Sequence, residues 1–511
     1  MTVSVTTDAP ADIQADLILI PLPSACPDEV LDALEQEMGA TVRRAANDFS
    51  GKTGAALRVY TDTSRVVLAG TGTPTTNGNE AEENLRRAAA ASEAADVKVE
   101  TVAMLLPNVF GQSDEAAVLS EERAACALAE GFVLGAYQFN DYKTGDDAPA
   151  AVARLVFHAQ GEEEVEGVEI GACRGQIRAG ATCTARDLVN LSPNDKTARK
   201  FAGRIAESAE AHGYEVDVWD ITRIRKEGFG GLLSVNLGSV EPPTFSVLEH
   251  APDNSVNDKP IVLVGKGVVF DTGGLSLKDT KGSMDLMKSD MAGAAAVVGA
   301  FEALADLEIP LHVIGLIPAT DNRPGENAYV PSDVITMHSG ATVEVMNTDA
   351  EGRLLVADAL SYAKRYDPEM VIDLATLTGA QVVALGGQAA AVMTSETDGA
   401  ADRLYAIQRA GERSGERVHP LPMYESYRKQ LDSTVADIKN VGGREAGCIT
   451  AGKFLEHFAD FPWMHIDLAG PAFLTAPKPY RPAGGTGFGV RLLTSYLDEF
   501  AAAKEFEKAK G

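Results

Sequence analysis

Four segments of this chain are apolar at nearly every position, and they limit the fold more than any other feature. They read "LILIPLP" (17–23), "PIVLVGKGVVF" (260–270), "IPLHVIGLIPAT" (309–320) and "PEMVIDLATLTGA" (368–380). A strand with one face in water alternates apolar and polar residues, whereas a strand apolar throughout is covered on both faces. Helical patterns lie between these runs, among them "SDMAGAAAVVGAFEALADL" (289–307) and "GRLLVADALSYAKRY" (352–366). Such alternation predicts an α/β fold, with a mixed or parallel sheet covered by helices on both faces. A chain of 511 residues exceeds one ordinary core, so two domains or more are expected.

The first domain is placed at residues 1–160. There "RVVLAGTG", "VAMLLPNVF" and "ARLVFHA" read as further strands, and "NEAEENLRRAAAASEAA" and "SEERAACALAEGFVLGAYQF" as helices. Residues 161–190 read as a linker containing a helix, closed by the breaker "LSPND". The larger second domain takes 191–511, and within it "SDVITMHSGATVEVMN" reads as a hairpin turning at Ser339–Gly340.

Composition narrows the function classes. No apolar run reaches the roughly 18–20 residues of a membrane span. The N-terminus lacks a basic stretch ahead of an apolar one, so no signal peptide is expected. The five cysteines (Cys26, Cys126, Cys173, Cys183, Cys448) are scattered and form no CxxC pair. A disulfide framework or thiolate zinc site is therefore not expected, and a reducing cytoplasm is. A formal charge of −29, with no Lys/Arg run against it, repels phosphate backbones and makes nucleic acid a poor partner. The acidity reads as surface solvation, suited to a salty cytoplasm.

In open α/β sheets, ligands bind beyond the carboxyl ends of the strands. Three segments bring ionisable residues there. "GKGVVFDTGGLSLK" supplies Lys266, Asp271 and Lys278, "MKSDMAG" supplies Asp290, and "NTDAEGRL" supplies Asp349, Glu351 and Arg353. If the last segment is extended, its alternate residues share one face. Each residue has an ordinary alternative: Asp290 as a helix N-cap, Glu351 as a first-turn glutamate, Lys266 as a solvated lysine. Together, four carboxylates at one sheet edge repel one another unless cations hold them. Two divalent ions would balance Asp271, Asp290, Asp349 and Glu351, and oxygen ligands suit zinc, manganese or magnesium.

"NTDAEGRL", with upstream "GKGVVFDTGG" and "MKSDMAGAA", resembles the leucine aminopeptidase family, the dizinc M17-type exopeptidases. The likeness extends over most of 180–500 through "DLATLTGA", "NVGGREAGCITAGKFLEHF" and "WMHIDLAGPAF". The resemblance implies a macro-like N-terminal α/β domain, a catalytic domain whose mixed sheet is sandwiched by helices, and a homohexamer. It implies a tighter metal site of Lys266, Asp271, Asp290 and Glu351, and an exchangeable one of Asp271, Asp349 and Glu351. Lys266 would bind as a neutral amine, its pKa lowered by the adjacent ions. Lys278 and Arg353 would be catalytic without binding metal, with bicarbonate at Arg353. Met287, Thr376, Gly379 and Ala469 map to a side-chain pocket suited to Leu-like residues. The implied reaction is attack by a metal-bridging water on the first peptide bond of a substrate with a free N-terminus. The loop between Lys278 and Asp290 is slightly longer than the family spacing.

Two other functions fit less well. A two-metal phosphoesterase also uses clustered carboxylates, but no GxxxxGK[ST] loop is present and the acidic chain repels anionic substrates. A binding protein, either a macro-like domain recognising nucleotide metabolites or a DNA-binding scaffold, is opposed by the charge of −29 and the missing basic stripe.

Overall fold

The computed structural model describes residues 1–61, 64–91, 99–106, 119–144, 152–395 and 397–510. The chain divides into two compact units, one of Met1–Cys183 with Ala476–Ala483 and one of Thr184–Thr475 with Gly484–Gly511. Among the described residues no helix is long and apolar enough to cross a membrane.

The first unit is built on strands β1 (Thr2–Thr6), β2 (Leu17–Pro23), β3 (Ala56–Tyr60), β4 (Arg65–Gly72), β5 (Thr101–Leu105) and β6 (Arg154–His158). They form one sheet in the order β1-β6-β5-β2-β4-β3, parallel except where β3 meets β4. The "LILIPLP" run shows why it is apolar throughout. Leu17 and Leu19 enter one core with the helices Gly78–Ala90 and Glu121–Ala136, while Ile18, Ile20 and Leu22 enter a second core with Asp28–Met38 and Ala40–Asp48. Residues 107–110 of "VAMLLPNVF" and 92–95 of the first predicted helix lie outside the described residues. A single helix, Glu162–Asn190, occupies the stretch read as a linker.

The second unit opens its sheet with β7 (Glu215–Trp219), β8 (Thr244–His250), β9 (Ile261–Gly265), β10 (Gly267–Asp271) and β11 (Val313–Asn322). β12 (Val334–Thr336) and β13 (Thr342–Glu344) form the expected hairpin around Ser339–Gly340. Then follow β14 (Met370–Ala375), β15 (Ala390–Thr394), β16 (Val418–Pro420), β17 (Ile438–Lys439) and β18 (Trp463–Asp467), with β17 extending the hairpin sheet. The main sheet runs β16-β15-β18-β14-β9-β11-β8-β7, with β10 paired to β11. Its centre, β18-β14-β9-β11, is parallel, and antiparallel pairs at β15–β18 and β11–β8 make the sheet mixed.

The segment read as one strand, "PIVLVGKGVVF", is two. β9 runs between β14 and β11, and after Lys266 the chain continues as β10, which pairs only β11. The break places Lys266 at the carboxyl edge of the sheet centre.

The helix Ala292–Asp306 is buried on every side from Ala292 to Leu304. Its small residues let it lie against backbone. A Cβ on Gly293 would come 2.1 Å from the Leu374 carbonyl oxygen, and one on Gly265 would come 2.5 Å from Ala294 Cα. That approach holds the start of the helix, and Asp290 just before it, over the ends of β9 and β14.

Candidate metal centre

All seven ionisable residues read from the sequence fall in the second unit. Lys266 follows β9 and Asp271 ends β10. Asp290 follows the 3-10 turn Met284–Ser289, and Glu351 precedes the helix Gly352–Ala363. Asp271, Asp290 and Glu351 are buried, and one oxygen of each lies within 4.8 Å of the others. Lys266, also buried, points its Nζ at Asp290 Oδ1 (2.8 Å), Glu351 Oε1 (3.0 Å) and the Thr376 carbonyl (2.9 Å). Lys278 Nζ pairs with Asp271 Oδ2 at 2.9 Å and with Asp349. Asp349, half-buried, therefore lies on the Lys278 side of the cluster, and Asp290 on the Lys266 side.

Local sequence makes these positions available. After Asp271 the backbone turns through Gly273 (φ +85°) and Gly274 (φ +62°), and the Gly273 N–H returns to Asp271 Oδ1 at 2.7 Å. Left-handed φ at two successive residues favours glycine, which is why "DTGG" ends the strand. Gly352 clears a path for Lys266, because a Cβ there would meet Lys266 Cε at 2.2 Å.

Three readings need correction. The "NTDAEGRL" segment is not a strand with alternate residues on one face. Glu351 has helical dihedrals (φ −77°, ψ −40°) and Arg353 lies inside the helix it begins. The three side chains diverge: Asp349 to Lys278, Glu351 to Lys266, and Arg353 to the Asn440 carbonyl at 2.7 Å. The N-cap alternative for Asp290 fails, since Met291 occupies that position and no side chain caps the helix. The solvated-lysine alternative for Lys266 fails because the residue is 2% exposed.

Electrostatics match a cation site. Burial pushes the Asp290 carboxyl well above its usual range, and Glu351 and Asp271 add to the effect against Lys266. Burial raises Asp349 to about 7, helped by Asp271 and Glu351. Burial alone would lower both lysines, but the surrounding carboxylates outweigh it and raise them. Glu351 moves down, because Lys266 and Lys278 overcome its burial. With only two ammonium groups among four carboxylates, burial and mutual repulsion raise Asp290, Asp271 and Asp349, the response of a cluster short of positive charge. Asp290 Oδ2 is buried without a hydrogen-bond partner, an unsatisfied acceptor that a metal ion would use. The donor set and this orphaned oxygen fit a divalent ion.

The structure adds residues that the sequence reading missed. Asn322 Nδ2 donates to Asp271 Oδ1 (2.8 Å) and to the Thr348 carbonyl (2.9 Å). Asn440 is fully buried. Its amide accepts from the Met346 N–H (2.8 Å) and donates to the Asn347 carbonyl (2.7 Å), which fixes the segment leading to Asp349. Asn440 lies within "NVGGREAGCITAGKFLEHF", but its bonding to residues 93 and 94 positions away has no local signal. Thr376, expected only at the side-chain pocket, also donates its hydroxyl to Asp290 Oδ1 at 2.8 Å. Of the other expected pocket residues, Met287 is half-buried in the 3-10 turn, Gly379 is exposed at the start of a helix, and Ala469 is half-buried.

The catalytic-domain model of the cytosol aminopeptidase family matches residues 183–494, and its N-terminal-domain model matches 25–146. The chain belongs to the cytosol aminopeptidase family. A probable cytosol aminopeptidase of Chloroherpeton thalassium is 43% identical over 97% of this chain and 99% of its own length. One from Chlorobaculum tepidum is 45% identical over 88% and 90%. Among solved structures, the bottromycin maturation enzyme BotP in complex with Mn superposes with a TM-score of 0.82 at 34% identity, over 95% of this chain and all of BotP. A mutant of tomato leucine aminopeptidase gives 0.84 at 31%, over 98% and 96%. This cytosol aminopeptidase family member has the leucine aminopeptidase fold and is a metal-dependent exopeptidase acting at peptide N-termini. Its buried acidic cluster fits divalent metal.

Proposed function

We propose that the chain removes Leu-like residues from peptides with a free N-terminus, using two divalent ions, zinc or manganese. Lys266, Asp271, Asp290 and Glu351 would hold one ion, and Asp271, Asp349 and Glu351 the other. The observation that supports this most is the buried trio Asp271, Asp290 and Glu351 with its unpartnered Asp290 Oδ2. The manganese in the BotP structure favours that metal among the candidates. When bound, such ions polarise the scissile carbonyl and lower the pKa of a coordinated water.

The protein's own groups do the rest. Lys266, whose Nζ faces Asp290 and Glu351, would join the ligand set only as a neutral amine, its proton lost to the charge of a bound ion. Lys278, paired here with Asp271 and Asp349, would keep its ammonium and donate to the oxyanion that develops on the carbonyl. The Arg353 guanidinium is buried, one nitrogen bound to the Asn440 carbonyl and Nε without a hydrogen-bond partner. Burial lowers its pKa to about 10, so it stays cationic at neutral pH. Its spare donor suits bicarbonate, an ion that can accept and return a proton. Met287, Thr376, Gly379 and Ala469 would border the side-chain pocket. The protein would work in the cytoplasm as a homohexamer.

The test compares Leu-peptides with free and acetylated N-termini after loading with manganese or zinc. Release of leucine from the free peptide alone is expected. Equal rates on both would reject the exopeptidase reading.

A further inference from the structure

Asp467 ends β18 directly beside Ala375, the last residue of β14. Its carboxylate is fully buried. Oδ1 accepts the backbone N–H groups of Leu377 (3.0 Å), Thr378 (3.4 Å) and Ala469 (3.3 Å). Oδ2 accepts the Thr378 hydroxyl (2.7 Å) and the Cys448 thiol (3.5 Å). The first two backbone donors sit between Thr376 and Gly379, and the third belongs to Ala469. One carboxylate therefore joins the turn that leaves β14 to the turn that leaves β18. These two turns bear three of the four residues assigned above to the side-chain pocket.

A second bond holds the same pair of turns. Gln381, in the helix Gly379–Leu385, accepts the Gly470 N–H at 2.6 Å and donates to the Ala389 carbonyl at 2.8 Å. The Ala469–Gly470 turn also packs on the end of that helix, since a Cβ on Gly470 would come 2.1 Å from the Gly386 carbonyl oxygen. At Gly379, by contrast, an added Cβ would meet nothing within 4 Å. The space beside Gly379 is open.

We propose that Asp467 is a positioning residue that sets the width of the substrate side-chain pocket by fixing the Thr376–Gly379 turn against the Ala469 turn. This rests on the pocket reading above. The carboxylate acts through the five donors it gathers. A buried carboxylate that gathers several donors from two segments holds those segments in one arrangement, which a neutral apolar side chain in its place would not.

The test uses metal-loaded full-length protein and measures kcat/KM for Leu- and Ala-p-nitroanilide. Asp467→Ala is expected to keep its metal content and lower the Leu-to-Ala preference by about tenfold or more, the low end of what a single methylene in an apolar pocket contributes. The change should fall mainly on KM for the Leu substrate. Thr378→Val removes one donor and should shift the preference in the same direction by less, while Thr378→Ser keeps the hydroxyl and should retain it. Gly379→Leu, which fills the open space, should also reduce the preference for Leu. An unchanged preference in folded Asp467→Ala, with Gly379→Leu altering it, overturns the role of Asp467 and leaves the pocket in place. No change in Gly379→Leu overturns the pocket reading itself. If Asp467→Ala does not fold, the Thr378 pair decides: equal preferences in Thr378→Val and wild type overturn the proposal.

Discussion

Replacing Gly352 with alanine puts one methyl group into the space that Lys266 uses. A Cβ at 352 would lie 2.2 Å from Lys266 Cε, 2.6 Å from Nζ and 2.7 Å from Cδ. Non-bonded carbons settle at about 3.5–4.0 Å, so the lysine must retreat by roughly 1.3 Å or more. It cannot do so and still reach Asp290 at 2.8 Å and Glu351 at 3.0 Å. The effect on stability is small because two terms oppose. Alanine is favoured over glycine in a helix by about 1 kcal/mol, whereas an extra carbon in a packed site costs about 1–3 kcal/mol. The effect on metal is larger, because displacing a group that holds a ligand in place typically costs about 10–100-fold in affinity. Gly352→Ala should therefore melt within a few degrees of wild type yet lose metal at lower chelator concentration. Its kcat/KM should fall unless metal is in excess. Metal content after dialysis against graded chelator, read beside a thermal melt, checks this. Wild-type metal retention and wild-type kcat/KM in Gly352→Ala would refute the claim that Lys266 belongs to the ligand set.

Two further outcomes follow from charge. The Asp349 carboxyl, raised to about 7 by burial with Asp271 and Glu351 beside it, holds a proton that the unfolded chain releases near its ordinary value. Between about pH 4 and 7 the metal-free folded protein binds more protons than the unfolded chain, so its stability falls as pH rises through that window. Metal must displace this proton as well as the one on Lys266, so manganese affinity should climb most steeply up to about pH 7 and less steeply above it. Titration calorimetry across that range tests the idea, and affinity falling with rising pH would count against it. Separately, a net charge of −29 predicts that melting temperature holds or rises in molar KCl, since screening relieves self-repulsion. A steep drop in melting temperature with added salt would contradict this.

The parts of the fold that the sequence displays are those whose residues answer to one local rule. "LILIPLP" is apolar throughout because both faces of β2 meet a core, and the helix 292–306, buried on every side, reads as helix from its length and its many alanines. The split at Lys266 was not legible, because residues on both sides of it are strand-like. Only the different partners of β9 and β10 reveal it. The ionisable residues of the site were legible because carboxylates are rare beside buried strands. Their directions were not, since Glu351 adopts helical dihedrals in a segment whose alternation of acidic and basic residues reads equally well as extended. The supporting residues Asn322, Asn440 and Asp467 were not picked out, because their partners lie tens of residues away and the reason for each is a backbone group that any sequence would supply.

The central claim is that Lys266 is a metal ligand while Lys278 is a charge kept for the transition state. Metal content per chain, measured beside kcat for Lys266→Ala and Lys278→Ala, tests it most directly. Lys266→Ala should lose metal together with turnover. Lys278→Ala should keep its metal and lose roughly 10²–10³ in kcat, the effect of removing one oxyanion donor. Arginine should restore part of the rate at 278 and none at 266, where a guanidinium stays protonated and cannot bind a cation. A Lys278→Ala protein that sheds metal while Lys266→Ala keeps its full complement would contradict the assignment.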